Sequence, residues 1–108
     1  MIYEMRIYHA IPGRLPEVSK RFETVAKKYW DKHGVRPIGF WTVLIGQSNQ
    51  DIYYILEWKD LAERERVWKA FTSDPGWLKE KEESEKDGQL VASIENFILS
   101  PTHYSPLK

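Results

Sequence analysis

The segment from Gly39 to Arg64, GFWTVLIGQSNQDIYYILEWKDLAER, constrains the fold of this 108-residue chain more than any other. It predicts an aromatic-rich strand over 36–46, a polar turn over 47–50, a second aromatic-rich strand over 51–59 and the start of a helix. A sheet with one face in water shows alternating apolar and polar residues, whereas both parities of these two strands are apolar. The hairpin therefore predicts a sheet that is buried on both faces.

The flanking segments complete a β-α-β-β-α-β order. Residues 2–9 and 89–99 predict the first and fourth strands, and an apolar stripe at helical spacing predicts a helix over 14–33. Asp60 and Asp74 suit helix N-caps, and Pro75 suits a first helical position, so we expect helices that begin at 61 and 75, the latter ending near 86. This order is the ferredoxin-like one: a four-stranded antiparallel sheet with both helices on one face. We expect one domain over 1–108, with an irregular tail over 101–108.

Two helices on one face leave the other face of the sheet bare. Because that face is also predicted to be apolar, something must cover it, and a second copy of the chain is the simplest cover. The sequence therefore predicts a homodimer in which two sheets pack face to face and enclose a space between them.

Composition excludes several classes of function. The 16 basic and 16 acidic residues balance, so no net field favours nucleic acid or an anionic membrane. Cysteine is absent, which excludes thiol catalysis and cysteine-ligated metals. No apolar run approaches the ~20 residues needed to span a bilayer, and no targeting pattern precedes the first strand. We expect a cytoplasmic protein with no cofactor and no membrane insertion.

Polar residues on the first strand are the first candidate site. Glu4, Arg6 and Tyr8 share one parity, and we expect them to face the interior of the predicted dimer, the space between its two sheets, where Glu95 of the fourth strand would join them. A buried, paired carboxylate can bind a ligand or act as an acid or base. An ion pair that only fixes the register of the dimer is the favoured alternative, since buried pairs are often structural.

Aromatic residues are the second candidate. Phe40, Tyr54 and Trp58, together with Tyr8, suit the walls of a pocket for a partly apolar ligand. Plain packing in an interface explains them at least as well. The three histidines, His9, His33 and His103, share no metal-ligand spacing, so we expect no metal site.

Short motifs along nearly the whole chain combine into one pattern: Tyr3-Glu4-Met5-Arg6, Pro12-Gly13, Lys32-His33-Gly34, GFWTVLIG at 39–46, Asn49-Gln50, Glu57-Trp58, Leu61-Ala62-Glu63-Arg64, Asp74-Pro75-Gly76-Trp77 and Glu95 to Pro101. In this combination of motifs the chain resembles the NIPSNAP family. It implies the dimeric α/β barrel fold and no particular chemistry. The chain departs from the family pattern at Asp51, which stands as one extra residue, and at Tyr54 and Leu56, where the family commonly has His and Trp.

Three functions are compatible with these features. The first is a homodimer that binds a small, partly apolar ligand or a protein partner without turnover. The second, by analogy of fold alone, is a cofactor-independent monooxygenase acting inside the barrel. The third is a structural or regulatory dimer with a filled barrel.

Overall fold

The sheet has four strands in the computed structural model, which describes Met1–Lys108. They are β1 (Ile2–Ala10), β2 (Arg36–Thr42), β3 (Asp51–Trp58) and β4 (Val91–Leu99). All pairs are antiparallel and the spatial order is β2-β3-β1-β4, so the first strand lies at the centre between the third and the fourth.

The predicted helix over 14–33 is a single helical stretch with a π-helical turn in its middle. It consists of α1 (Leu15–Arg21), a π-helical segment (Phe22–Ala26) and α2 (Lys27–His33). Gly34 ends the stretch at a φ of +88°, a conformation that glycine adopts without steric cost. The remaining helices are α3 (Leu61–Thr72) and α4 (Pro75–Ser84).

Both predicted N-caps are present. The Asp60 carboxylate accepts from the Glu63 N–H at 2.8 Å, and the Asp74 carboxylate accepts from the Gly76 N–H at 2.8 Å. Asp74 also lies 2.7 Å from His33 Nε2 and 2.9 Å from Lys32 Nζ, so the buried carboxylate holds the end of α2 against the start of α4.

The helices cover one face of the sheet, and the core between the two layers is aromatic. The Trp30 ring lies 5.8 Å from the Phe22 ring and 5.5 Å from the Tyr54 ring, so the first helical stretch packs directly on β3. Phe71 of α3 and Trp77 of α4 extend the same cluster, with ring centroids 4.8 Å apart. The architecture is the ferredoxin-like α+β fold, as the order of elements predicts.

Strand β2 is shorter than predicted. The sequence predicted a strand over 36–46, whereas the ladder ends where Thr42 pairs with Ile52, one residue from the start of β3. Residues 43–50 therefore have no partner strand and form the loop. Leu44 and Ile45, predicted to lie in the sheet, are 95% and 94% exposed in this loop. No helix is long and apolar enough to cross a membrane.

Candidate functional site

The polar residues of β1 face the helices rather than the open side of the sheet. Glu4, Arg6 and Tyr8 stand opposite Leu56, Tyr54 and Ile52 on β3. The Tyr54 ring contacts the Phe22 ring at 5.0 Å, so this parity lies under the helices. The expectation that the three polar residues face the barrel interior is therefore wrong, because the strand pattern alone does not show the cation that α3 brings over the carboxylate.

That cation is Arg64, and it completes a network around Glu4. The Glu4 side chain is fully buried and accepts from Arg64 Nε at 2.8 Å and Nη2 at 3.0 Å, and from Arg6 Nη1 at 2.9 Å. Trp58 Nε1 at 3.0 Å and Asn96 Nδ2 at 3.1 Å complete the set. Strands β1, β3 and β4 and helix α3 thus all donate to one carboxylate.

These donors keep Glu4 ionised. Burial raises its pKa, but the hydrogen bonds from Arg64, Asn96 and Trp58 and the charge of Arg6 outweigh burial and lower the pKa to about 2. A fully partnered buried carboxylate has little capacity left to accept a proton from a substrate. Glu4 is consequently a structural anion that positions Arg6 and Arg64.

Arg6 has unused donor capacity. Its Nε donates to Tyr54 Oη at 2.7 Å and its Nη1 to Glu4, while Nη2 forms no hydrogen bond within the chain. The guanidinium lies 4.7 Å from the Trp68 ring and 5.8 Å from the Tyr8 ring, so aromatic faces hold its plane in place.

The guanidinium forms part of the wall of a cavity of about 590 Å³ between the sheet and α3 and α4, called here the helix-side cavity. Three cations, Arg6, Arg21 and Lys81, and one carboxylate, Glu85, line this cavity. Arg21 pairs with Glu85 at 3.1 Å, whereas Lys81 forms no ion pair. The lining therefore carries an excess of positive charge. Its apolar lining consists of four aromatic side chains and three aliphatic residues of β4: Tyr8, Trp68, Phe71, Trp77, Val91, Ala92 and Ile94.

The predicted pocket aromatics lie in the core. Tyr54 and Trp58 are fully buried, and Phe40 stacks on Trp30 with centroids 5.8 Å apart. All three share the parity that the helices cover, so they line neither the open face nor the space that the sequence predicted between two sheets. The expectation of an interface role is wrong, because the helical stretch needs these rings to fill the space beneath it.

Glu95 lies on the opposite face from Glu4 and Arg6. Its Oε2 is 2.5 Å from His9 Nε2, and Asp51 Oδ1 is 2.7 Å from His9 Nδ1. The grouping of His9 with Asp51 was not predicted from the sequence, although both lie at strand ends and an antiparallel register pairs them. The hydrogen bonds that His9 donates to Glu95 and Asp51 raise the pKa of His9, while burial opposes them.

The histidine cluster, His9 with Asp51 and Glu95, borders a depression of about 730 Å³ on the open face of the sheet, called here the open-face cavity. Met5, Trp41, Tyr53 and Ile55 form the part of its wall that lies on the sheet, and the loop over 43–48 forms the rest. The two carboxylates contact opposite nitrogens of the His9 ring, so the three groups do not converge on one point as metal ligands must.

Comparisons with known proteins agree on the family. The NIPSNAP family model matches residues 3–106. A NIPSNAP family protein with unknown function from Agrobacterium tumefaciens is 29% identical with a TM-score of 0.86, over 100% of this chain and 94% of that one. An uncharacterized NIPSNAP-like domain protein from Burkholderia xenovorans is 27% identical with a TM-score of 0.84, over 97% and 88%.

An antibiotic biosynthesis monooxygenase is a more distant match, 9% identical with a TM-score of 0.60 over 94% of this chain and 99% of that one. At this identity the match shows a shared fold only. No curated protein sequence matches the chain. Because the family model spans nearly the whole sequence and the relatives of similar fold share its length, this chain belongs to the NIPSNAP family.

Proposed function

We propose that the protein is a homodimer that binds a small, partly apolar anion in the helix-side cavity. The observation that carries the proposal is the buried Arg6 guanidinium, whose Nη2 forms no hydrogen bond within the chain and which lies at the wall of a cavity lined by aromatic rings. A buried charge that is fixed in position before a ligand arrives needs little reorganisation to bind an anion.

The shape and charge of the cavity narrow the class of ligand. A volume of about 590 Å³ lies within the ~300–1,000 Å³ typical of small-molecule sites. Its aromatic walls suit a planar or aliphatic body, and Arg6 and Lys81 suit a carboxylate. A carboxylic acid with an aromatic or aliphatic body therefore fits best.

The open face of the sheet supports the dimer. Met5, Trp41, Tyr53, Ile55 and Phe97 share the parity opposite the helices, and Trp41 is 51% exposed. Monomeric proteins rarely leave such a contiguous apolar surface in water. A second copy supplies an equally apolar sheet of the same size, and a two-fold axis lets one patch cover itself.

Ligand binding can be tested with phenylacetate as the probe and phenylacetamide as its uncharged counterpart. We expect phenylacetate to bind and phenylacetamide to bind at least tenfold more weakly, because a hydrogen bond to a charged group contributes about 1.5–3 kcal/mol. Arg6→Met should raise the Kd for phenylacetate by about tenfold or more. Saturation-transfer NMR and calorimetric titration measure both effects.

A pair of lysine variants on α4 controls for the stability of the fold. Lys81 lines the helix-side cavity, whereas Lys79 lies outside it on the same helix. Lys81→Met should weaken phenylacetate binding severalfold, and Lys79→Met should leave it unchanged. Equal binding of phenylacetate and phenylacetamide to the unmodified protein would refute the proposed anion site.

The dimer can be tested by Trp41→Glu, a change on the open face. We expect the unmodified protein to sediment as a dimer at micromolar concentration and Trp41→Glu to weaken association by about 30-fold or more, since loss of a hot-spot Trp from an interface costs about 2 kcal/mol or more. Leu61→Glu, an equally exposed apolar residue at the start of α3, should leave the dimer intact. A monomeric unmodified protein would contradict the proposal.

The similarity to the monooxygenase does not support a particular reaction for this chain. At 9% identity it shares the fold alone, and function resides in side chains rather than in folds. The structural-dimer alternative predicts no binding of either probe, so the same titration separates it from the ligand-binding proposal.

A further inference from the structure

The histidine cluster joins three neighbouring strands on the open face. His9 lies near the end of β1, Asp51 begins β3 and Glu95 is in β4. Both His9 ring nitrogens are within hydrogen-bond distance of a carboxylate oxygen, at 2.7 Å and 2.5 Å. A neutral imidazole has one N–H, so two carboxylate partners require a proton on each nitrogen. The cluster therefore holds an imidazolium between two carboxylates.

The two carboxylates differ in their freedom to move. The Asp51 side chain is buried, whereas half of the Glu95 side chain is exposed on the edge strand β4. Asp51 consequently fixes the ring from the Nδ1 side. Glu95 can rotate away from Nε2 and open that nitrogen to the cavity. No other charged residue lines the open-face cavity, and Tyr53 is the only further titratable group there.

Stabilisation of the sheet does not explain the cluster. The three strands already pair through β1 over most of their length, with one register shift between His9 and Ala10 on the β4 side. An ion pair with a half-exposed partner contributes about 0–1 kcal/mol. A histidine oriented by a buried aspartate beside a cavity is, in contrast, the arrangement that proton-transfer sites use.

We propose that His9 and Glu95 form an acid–base pair that acts on a small apolar carbonyl compound bound in the open-face cavity, with Asp51 as a positioning residue. The apolar wall of Met5, Trp41, Tyr53 and Ile55 receives the body of the substrate. The carbonyl oxygen takes the place of Glu95 at His9 Nε2.

The proposed step is enolisation and needs no oxidant or reductant. The Glu95 carboxylate takes a proton from the carbon next to the carbonyl, and the electron pair of that C–H bond forms the carbon–carbon double bond. The π electrons of the carbonyl move onto its oxygen, and this oxygen takes the proton from His9 Nε2. The products are an enol, a protonated Glu95 and a neutral His9, whose Nδ1–H remains hydrogen-bonded to the Asp51 carboxylate. Reversal of the step returns both protons, and exchange of the exposed Glu95 proton with solvent labels the carbon.

This inference is independent of the helix-side cavity, because the two cavities lie on opposite faces of the sheet. In the proposed dimer, the second sheet would face the same four wall residues, so the substrate would lie in the space enclosed between the two sheets. Failure of the phenylacetate test would therefore leave the acid–base site standing, and failure of the exchange test would leave the anion site standing.

Hydrogen exchange at carbon tests the proposal directly. The full-length protein is incubated in D₂O with phenylacetone, and proton NMR follows loss of the methylene signal. We expect exchange faster than in buffer alone, and a drop of about 10²-fold in His9→Gln and in Glu95→Gln, in line with the usual contribution of general acid–base catalysis. His103→Gln, the same change in the tail, should exchange at the unmodified rate.

The positioning role of Asp51 is tested by a measurement that a purely structural role would leave unchanged. Asp51→Asn keeps the shape but removes the charge that stabilises the imidazolium, so His9 should titrate at a lower pH in ¹H–¹⁵N spectra. The pH profile of exchange should move in the same direction. Exchange no faster than in buffer, or exchange unaffected by His9→Gln in a folded variant, would overturn the proposal.

Discussion

Replacing Glu4 by Gln is expected to lower the free energy of unfolding by about 3–5 kcal/mol, the usual cost of removing one partner from a buried ion pair. The variant would leave the Arg6 and Arg64 guanidiniums without the carboxylate that both of them contact. Urea unfolding followed by tryptophan fluorescence measures the difference. Glu57→Gln is the matched control, because Glu57 is a half-buried strand glutamate 3.5 Å from Arg36, and its loss should cost under about 1 kcal/mol.

The same residue gives a pH dependence with a definite sign. The folded pKa of Glu4, about 2, lies below the ordinary value of 4.5, so the carboxylate contributes its stabilisation fully above pH 4.5. That stabilisation, about 3 kcal/mol from the difference in pKa, is lost as the pH falls from 4.5 towards 2. Glu4→Gln should lack this component. Parallel acid-unfolding curves for the variant and the unmodified protein would disprove the assignment.

Trp30→Ala is expected to cost about 3–5 kcal/mol of unfolding free energy, because it opens a cavity at the centre of the aromatic core. The Trp30 ring is almost fully buried and packs on Phe40 and Tyr54 of the sheet. It also packs on Phe22 of the same helical stretch and on Phe71 of α3. Its loss removes contacts between the first helical stretch, the sheet and α3 at once. Thermal and urea unfolding both report the change.

Two further variants define the cause of the Trp30 effect. Trp30 Nε1 is buried without a hydrogen-bond partner, so Trp30→Phe removes an unsatisfied donor along with part of the ring and should cost clearly less than Trp30→Ala. Tyr104→Ala removes an aromatic residue of the tail that is mostly exposed and should be nearly neutral. A cost below about 1 kcal/mol for Trp30→Ala would show that the core repacks around the gap.

The helices and strands could be predicted from the sequence because the signals that begin and end them act over a few residues. Asp60 and Asp74 begin helices since a carboxylate satisfies N–H groups two or three residues away, and Gly34 ends one since its φ is positive. The length of β2 could not be predicted from such local signals. The end of a strand depends on its partner, and the ladder between β2 and β3 ends where Thr42 pairs with Ile52.

The candidate site could be predicted only in part. The parity of β1 correctly grouped Glu4, Arg6 and Tyr8, but it could not say which face of the sheet the helices would cover. Hydrophobicity alone favours the other parity, Tyr3, Met5 and Ile7, for the face that the helices cover. Arg64, sixty residues further along the chain, reverses the assignment by offering the Glu4 carboxylate a buried partner.

The segment from Gly39 to Arg64 by itself determined a hairpin that is apolar on both faces, and with its flanking segments the ferredoxin-like order of elements. Only the tertiary structure decided which face carries which chemistry. It placed Arg6 against the helix-side cavity and brought His9, Asp51 and Glu95 together on the open face. The physical reason is that side-chain periodicity is a property of one strand, whereas charge pairing depends on the register between strands and on the helix packed above them.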